Sequence, residues 1–509
     1  MFHEAVRWPF VIGFIIYFVV IWVIAHRVAT RVKSYLQLAV GGRVVSYLAF
    51  AFLISGTYIS AVSVFGGVGT TYEHGYVSVV GWALAWMVAL ILALFIGYRL
   101  RRPAAPPFTL PEAMKTRFEL GKRRSPLQFI AAFWGLIFVG LFNMLQIKGF
   151  GLAMESITGF PFTLAVALYA FIVIYIGLGG YLAIIRTNIV HQFVILAGLW
   201  ITVLVILAMP EIGGLVGLHT KAAAVQGAIH PDSPYTISQG ALLTLVGAFP
   251  IIFLLNVMIA NMLAWSAPFW PSVLLGSKSV REMLKGGALA SLFVAMAWVA
   301  IPLIGLSARV FFPVLPAEVG RYDPDVAFPL IIGNILPESV GIIALLGLFA
   351  AAISTSTVLL LYASLFLVND MIGAVKPEMT KETMFKLSRV FMVVIGLITL
   401  GIAIAFPPTS LLIGAQLAFA ISAAALAVPI GLGLYWKRMT RAAAYTCLII
   451  PPIVFMFALV QLLQKGEEYP LFLPPIALAL VVAIILAVVV SLLTKPAPEE
   501  STRPFWEWK

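Results

Sequence analysis

Residues 55–69 read Ser-Gly-Thr-Tyr-Ile-Ser-Ala-Val-Ser-Val-Phe-Gly-Gly-Val-Gly, inside an otherwise apolar segment. So many glycines, serines and threonines are unusual in a membrane-spanning helix, because glycine weakens a helix and lipid cannot satisfy the freed backbone groups. Irregular backbone at membrane depth is tolerated where it lines a cavity, and its carbonyl and hydroxyl oxygens can then bind a cation. The stretch therefore predicts a binding site within the bilayer.

The composition around this stretch is that of a membrane protein. Hydrophobic residues make up 62% of the chain and charged residues 10%, whereas a soluble domain carries about 25% charged residues. We therefore predict an all-α polytopic membrane protein. The single cysteine, Cys447, excludes a disulfide within the chain.

About thirteen apolar segments are long enough to cross a bilayer, which takes roughly 20 residues each. No small-residue cleavage site follows the first segment, so we interpret it as a retained span and not as a signal peptide. The predicted segments are 9–26, 45–72, 76–98, 127–157, 161–180, 187–210, 238–270, 285–311, 339–372, 386–406, 409–436, 443–464 and 471–494.

The net charge of +12 is distributed unevenly between the loops. Lysines and arginines concentrate in alternate connections, for example 99–124 and 437–441, and in the C-terminal tail. By the positive-inside rule this asymmetry places the N-terminus outside and the C-terminus in the cytoplasm. The basic excess thus predicts the topology of a multi-pass cell-membrane protein, with lipid and no nucleic acid as its surroundings.

A second polar interruption lies in the predicted span 339–372, where three alanines precede the run from Ser354 to Thr357. Small residues and hydroxyls can simply allow close helix packing. The functional alternative is that Ser354 and Thr355 give oxygens to a hard cation such as sodium, which takes hydroxyl and carbonyl ligands.

Lys148 lies well inside the span 127–157, near Gln146. A charge at this depth is costly and usually faces the bundle interior or water. One interpretation is a lysine that extends to the outer interface or pairs with Glu155. The other is a counter-charge for an anionic substrate, or a titrating group that replaces or supplements sodium.

Further polar residues interrupt apolar segments and are candidates for substrate contacts. Ser60 and Ser63 lie in the glycine-rich stretch, Gln146 lies two residues before Lys148, and Asn256 and Asn261 lie in the span 238–270. Polar groups at such positions need partners. Hydrogen bonds between helices satisfy that need as well as a substrate does.

Five motifs, in order along residues 34–441, resemble the sodium:solute symporter family. The first core helix of that family is similar to residues 55–76, and its "TLPE" loop to residues 108–118. The other three are Gly179-Gly180 with Thr187, Asn188 and Gln192; the run AAAISTST followed by Asn369-Asp370; and residues 435–440, YWKRMT. Within the family, the pantothenate and monocarboxylate branches look most similar.

The resemblance implies a leucine-transporter-type fold with two inverted five-helix repeats. It divides the chain into a leading helix and loop (1–44), a first repeat (45–210), an external loop (211–237), a second repeat (238–441) and trailing helices with a cytoplasmic tail (442–509). The expected assembly is a functional monomer.

The resemblance also implies a sodium site between the first and eighth core helices. It consists of the carbonyls of Gly56, Ile59 and Ala351 and the hydroxyls of Ser354 and Thr355. Asn188 stands where many members have an aspartate on the ion-release path. This departure from the family pattern concerns the route by which the ion is released.

The function implied is sodium-coupled symport of a small organic solute, such as a monocarboxylate or pantothenate, by alternating access. The alternatives are proton-coupled symport that depends on Lys148, and symport of a sugar or an amino acid. A membrane-embedded enzyme is disfavoured because the histidines and acids do not cluster in the sequence. A channel would favour pore-lining rings from several subunits.

Overall fold

The computed structural model describes residues 6–233, 235–247, 251–319, 322–405, 411–465 and 473–507. Within these ranges the secondary structure is helical, with two isolated β-bridges. The first half contains α1 (Trp8–Ala29), α2 (Tyr35–Val40), α3 (Tyr47–Tyr58), α4 (Gly67–His74), α5 (Ala85–Leu100), α6 (Leu110–Phe118), α7 (Pro126–Thr158), α8 (Phe162–Leu178), α9 (Gly180–Ala208) and α10 (Gly214–Ala224).

The second half continues the helical order to the C-terminal tail. It contains α11 (Ile251–Met262), α12 (Phe269–Leu274), α13 (Val280–Phe311), α14 (Ala327–Asn334), α15 (Glu338–Leu365), α16 (Gly373–Val375), α17 (Lys381–Ala405), α18 (Leu411–Tyr435), α19 (Arg441–Lys465), α20 (Pro475–Leu493) and α21 (Glu499–Trp506). Wider π-helical turns precede α4 and α5 and join α15 to α16.

Ten of the described helical segments are long and apolar enough to cross a membrane, and a bent pair makes up to eleven. The predicted segments 161–180 and 238–270 hold the shorter apolar helices α8 and α11. A polytopic helical membrane protein is thus confirmed, and the count of thirteen spans stays a prediction. Residues 248–250, 406, 409, 410, 471 and 472 of the predicted segments lie outside the described residues.

The first predicted core helix is broken at the quoted stretch. Helices α3 and α4 meet at 55° across a break next to Tyr58. Ile59 takes an extended backbone conformation (φ −90°, ψ 96°) and ends α3. The glycine-rich composition therefore produces the irregular backbone that it predicted.

The helix that begins the predicted second repeat is also interrupted. Helix α11 ends at Met262, a single 3-10 turn follows over Ala264–Ser266, and α12 begins at Phe269. Pro268 precedes α12 and Pro271 lies within it, and proline cannot donate the hydrogen bond that would continue the preceding helix. Each predicted repeat thus opens with a broken helix.

Helices α9 and α15 pack together more extensively than any other pair of described elements. Gly198 and Gly347 make this approach possible, because a Cβ on Gly198 would lie 3.1 Å from the Gly347 Cα. Small residues let membrane helices come this close. The contact holds the Ser354 region of α15 against α9 and α3.

The short helices mark two faces of the bundle. Helices α2, α6, α12 and α21 lie at one face, which we call the inner face, and α10 and α14 lie at the opposite, outer face. The inner face carries most of the lysines and arginines. The positive-inside rule therefore predicts that the inner face is cytoplasmic.

Candidate cation and substrate site

The hydroxyls of Ser354 and Thr355 on α15 meet backbone carbonyls at the end of α3. Ser354 Oγ donates to the Gly56 carbonyl at 2.6 Å and is 3.0 Å from the Ala351 carbonyl. Thr355 Oγ1 donates to the Thr57 carbonyl at 3.2 Å. Four of the five residues predicted for sodium thus lie within one hydrogen-bonded group.

The fifth predicted residue, Ile59, lies at the break itself, where the helix has ended. The Thr57 carbonyl joins the group although the resemblance did not imply it. Ser354, Thr355 and the residues around the break are fully buried. Because they are the candidate ligands of an ion, the residues Gly56, Thr57, Ile59, Ala351, Ser354 and Thr355 are called the cation site.

The cation site offers neutral oxygens only. Hydroxyls and carbonyls are the ligands that hard cations accept, and carbonyl rings bind monovalent ions without a carboxylate. Among the described residues, no group of three or more His, Cys, Asp or Glu side chains could hold a metal ion. The chemistry therefore suits a weakly held monovalent ion better than a transition metal.

Asn188 on α9 lies directly against this group. Its Nδ2 donates to the Leu53 carbonyl at 3.5 Å, and a Cβ on Gly56 would lie 3.3 Å from the same nitrogen. Asn188 Oδ1 is buried and has no hydrogen-bond partner among the described residues. The residue predicted for ion release thus borders the cation site.

Ser60, Ser63 and Gln146 hold the break in place. The two serine hydroxyls are 3.2 Å apart, and Ser63 Oγ donates to the Tyr58 carbonyl at 3.1 Å. Gln146 Oε1 on α7 accepts the backbone N–H of Ala61 at 2.9 Å. These contacts satisfy backbone groups that the break frees, and they place all three side chains next to the cation site.

The two asparagines of α11 have different surroundings. Asn261 accepts from Trp86 Nε1 at 2.8 Å and donates to the Gly81 carbonyl at 3.0 Å, so it joins α11 to the start of α5. Asn256 accepts the N–H of Ile476 at 3.3 Å, at the start of α20. Asn256 therefore faces a trailing helix, and the structure does not bring it to the residues of the break.

Lys148 is 2% exposed, and its charge acts on Asp325 in a turn before α14. Asp325 Oδ2 accepts the N–H of Leu411, the first residue of α18, at 2.8 Å. Burial and the nearby Asp323 carboxylate raise the pKa of Asp325 to about 7, and Lys148 opposes that rise. Sequence reasoning missed Asp325, since its loop resembles any polar connection.

A cavity of about 290 Å³ opens between these elements on the outer side of the break. Phe65 and Gly149 lie at the end nearest the break, while Glu155, Asp325 and Leu411 line other walls. Its size approaches the lower end of small-molecule sites, which is roughly 300 Å³. The wall formed by Gly149 thus lies next to Lys148 in the chain.

A family model described as "Sodium:solute symporter family" matches residues 38–450. In structure, the chain is similar to a Na+-coupled sialic acid symporter in a substrate-bound outward-open state, with a TM-score of 0.75 and 17% identity, over 96% of this chain and 98% of that one. It is also similar to Mhp1, a nucleobase-cation-symport-1 family transporter in a closed conformation (TM-score 0.57, 18% identity, 92% and 97% covered). At these identities the structural likeness shows the fold alone.

Proposed function

Because the chain belongs to the sodium:solute symporter family, we propose that it imports a small organic carboxylate by alternating access. Family membership makes it a membrane transporter and not an enzyme, and sodium is its co-transported ion. We further propose which residues bind the ion, which class of substrate is carried and in what order the events occur.

The observation that carries the proposal is the meeting of Ser354 and Thr355 with the carbonyls of α3. Sodium at this group would join two elements that belong to different halves of the chain. The bound ion would hold the end of α3 fixed, and with it Ser60 and Ser63. Substrate binding would then depend on sodium because both share one broken helix.

Lys148 supports a carboxylate as the substrate. It is buried beside the outer cavity, whose lining includes the acidic residues Glu155 and Asp325. An anion entering such a cavity needs a compensating positive charge, because burying an unpaired carboxylate costs several kcal/mol. Lys148 lies where it can supply this positive charge. It would then give up its interaction with Asp325 and pair with the substrate carboxylate.

The proposed cycle uses the two broken helices. Sodium and substrate enter from the outer cavity, the outer side closes over them, and the inner face then opens to the cytoplasm. The low cytoplasmic sodium concentration favours release of the ion past Asn188. We propose that residues 45–210 and 238–441 act as inverted repeats in this motion, and that a monomer is sufficient.

Uptake into proteoliposomes tests the proposal, after a thermal-shift screen of small carboxylates, pantothenate, sugars and amino acids. We expect a carboxylate to raise the melting temperature in sodium and not in potassium, as linked binding requires. Uptake of that compound should follow an inward sodium gradient. Uptake driven by a proton gradient and indifferent to sodium would refute the sodium-coupled cycle, and a neutral sugar, or an amino acid that binds only with its ammonium group present, would refute a simple carboxylate as the substrate.

A further inference from the structure

A second polar group lies at the inner face, away from the cation site. It joins four elements, and we call it the inner plug. Asp370 follows α15 in the π-helical turns before α16, and its Oδ1 accepts three hydrogen bonds: from Thr109 at 2.7 Å, Gln128 at 2.8 Å and Asn369 at 2.9 Å. The other members of the inner plug are Tyr35 on α2 and Glu112 on α6.

Two carboxyl groups share this plug. The Asn369 side-chain nitrogen donates to Asp370 Oδ1 and lies 3.3 Å from Glu112 Oε2, so it bridges both acids. Asp370 is 0% exposed, while Glu112 is partly exposed. Two negative charges this close repel each other in a medium of low dielectric constant, so one of the acids is favoured in its neutral form.

The hydrogen bonds identify the acid that takes the proton. Asp370 Oδ2 is buried and has no hydrogen-bond partner among the described residues, whereas Oδ1 has three donors. Leaving a buried charged oxygen unsatisfied is costly. Gln128 Oε1 and the Tyr35 hydroxyl also have no partner there, and each can accept a hydrogen bond from a protonated carboxyl.

The positive charges near the plug lie against aromatic rings and make no ion pair with Asp370 among the described residues. Lys381 on α17 lies over the rings of Tyr35 (5.1 Å) and Phe108 (4.6 Å), and the Arg43 guanidinium lies 5.4 Å from the Phe108 ring. The Arg43 guanidinium is attracted electrostatically to the Glu112 carboxylate. Burial and the carboxyls of Asp370 and Glu112 raise the pKa of the Tyr35 hydroxyl, so Tyr35 stays protonated.

We propose that Asp370 binds a proton at Oδ2 while the inner plug is closed, and releases it to the cytoplasm when the inner face opens. Opening separates α2 and α6 from the end of α15, so water reaches the carboxyl and stabilises the carboxylate. The step breaks one O–H bond and passes its proton to cytoplasmic water. The proton returns from the same side, so it is not transported. Cytoplasmic acid therefore keeps the inner face closed.

This inference rests on the proposed alternating access, and its test needs neither substrate nor a sodium gradient. A cysteine at Ala113, a buried residue of α6, reports opening by its maleimide labelling rate in inside-out vesicles. The native Cys447 is buried, and the unmodified chain measures its background. The same cysteine in an Asp370→Asn chain supplies the reagent's own pH dependence, because asparagine keeps the shape and cannot titrate.

We expect the labelling rate with Asp370, divided by that with Asp370→Asn, to rise between pH 6 and pH 8. The rise is at most about tenfold per pH unit, the limit for one linked proton. Equal pH dependence in the two chains would overturn the proposal.

A second variant keeps the test open if Asp370→Asn folds poorly. Glu112→Gln removes the neighbouring charge, so the rise in labelling should persist with its midpoint at lower pH. Thr109→Val removes a hydrogen bond to Oδ1 and the side-chain cap of α6 without removing an acid, so it is the structural control and should keep the pH response, with its midpoint at higher pH. Loss of the response in Thr109→Val, or an unmoved midpoint in Glu112→Gln, would contradict a proton on Asp370.

Discussion

Ser354 Oγ donates a hydrogen bond of 2.6 Å to the Gly56 carbonyl, across 298 positions of the chain. The bond joins the broken first core helix to α15, and both partners are fully buried. An ion that binds here must break this hydrogen bond, because it uses the same hydroxyl and carbonyl oxygens as ligands. Its net affinity is therefore expected to be modest, as release on every transport cycle requires.

Replacing Ser354 with alanine removes one oxygen ligand from the cation site. We expect the sodium concentration for half-maximal uptake to rise about tenfold, which corresponds to roughly 1.4 kcal/mol. Sodium titrations of uptake in proteoliposomes measure this shift. Ser364→Ala is the matched control, since Ser364 is also a buried serine of α15 and donates within its own helix, to Leu361. An equal shift in both variants would contradict a ligand role for Ser354.

Replacing Gly56 with alanine places a methyl group 3.3 Å from Asn188 Nδ2. Either the asparagine or the backbone of α3 must then shift, and that backbone carries the Gly56 carbonyl of the cation site. We expect the sodium concentration for half-maximal uptake to rise by about fivefold or more, because overpacking costs roughly 1–3 kcal/mol and each 1.4 kcal/mol is a factor of ten. Sodium titrations of uptake measure the change.

The Gly56→Ala effect should be relieved by a second change, Asn188→Ala, which makes room for the methyl group. Gly140→Ala on α7 is the control, since a Cβ there meets nothing within 4 Å and alanine favours a helix over glycine by up to about 1 kcal/mol. If Asn188→Ala did not restore sodium affinity, the contact between these two residues would not be the cause.

The residues proposed for the cation site could be picked out in the sequence because their signal is local. Glycine and hydroxyl residues are unusual within apolar spans, and this composition identified the stretches that contain Gly56 and Ser354. The contact between Gly56 and Ser354 is tertiary, and the family resemblance, not the local sequence, predicted it. The participation of the Thr57 carbonyl could not be foreseen, since any residue type supplies the same backbone oxygen.

Asp325 and Asn256 show where such signals fail. Asp325 lies in a polar loop. Folding brings it to Leu411, 86 positions away, and close enough to Lys148 for an electrostatic interaction. Asn256 is as conspicuous in the sequence as Asn261, yet the two contact different helices. A polar residue in an apolar span predicts that a buried partner exists, but the sequence does not identify that partner.

Lys148→Ala separates the two interpretations of the buried lysine. The change leaves Asp325 without its counter-charge, so we expect a loss of stability of about 1–3 kcal/mol and a large loss of carboxylate uptake. Adding Asp325→Asn should recover the stability, because no unpaired acid remains. It should not recover uptake, because the substrate still lacks a cation. Thermal unfolding and uptake, measured on all four chains, form the cycle.

Recovery of uptake in the double variant would mean that Lys148 serves only as the partner of Asp325. Glu155→Gln is a useful companion, since Glu155 lines the same cavity. Removing that negative charge should favour an anionic substrate and lower its KM. A higher KM would contradict an anion in the outer cavity.

The pH dependence of stability tests the surroundings of Asp325. Burial and Asp323 raise the pKa of Asp325 to about 7 from its ordinary value of 3.8. Between these values the folded state binds more protons than the unfolded state, so stability falls as the pH rises through this window, by at most about 1.4 kcal/mol per pH unit. Above pH 7 the loss is complete, and below 3.8 it is absent.

Asp325→Asn should therefore stabilise the protein at pH 8 and make little difference at pH 4, because asparagine keeps an acceptor for the Leu411 N–H and carries no charge. The measurement is the melting temperature in detergent from pH 4 to 8, taken as the difference between the variant and the unmodified chain, so that other titrating groups cancel. Glu500→Gln is the control, since its side chain is exposed at the start of α21. A difference for Asp325→Asn that is constant with pH would show that this carboxyl does not titrate in the window.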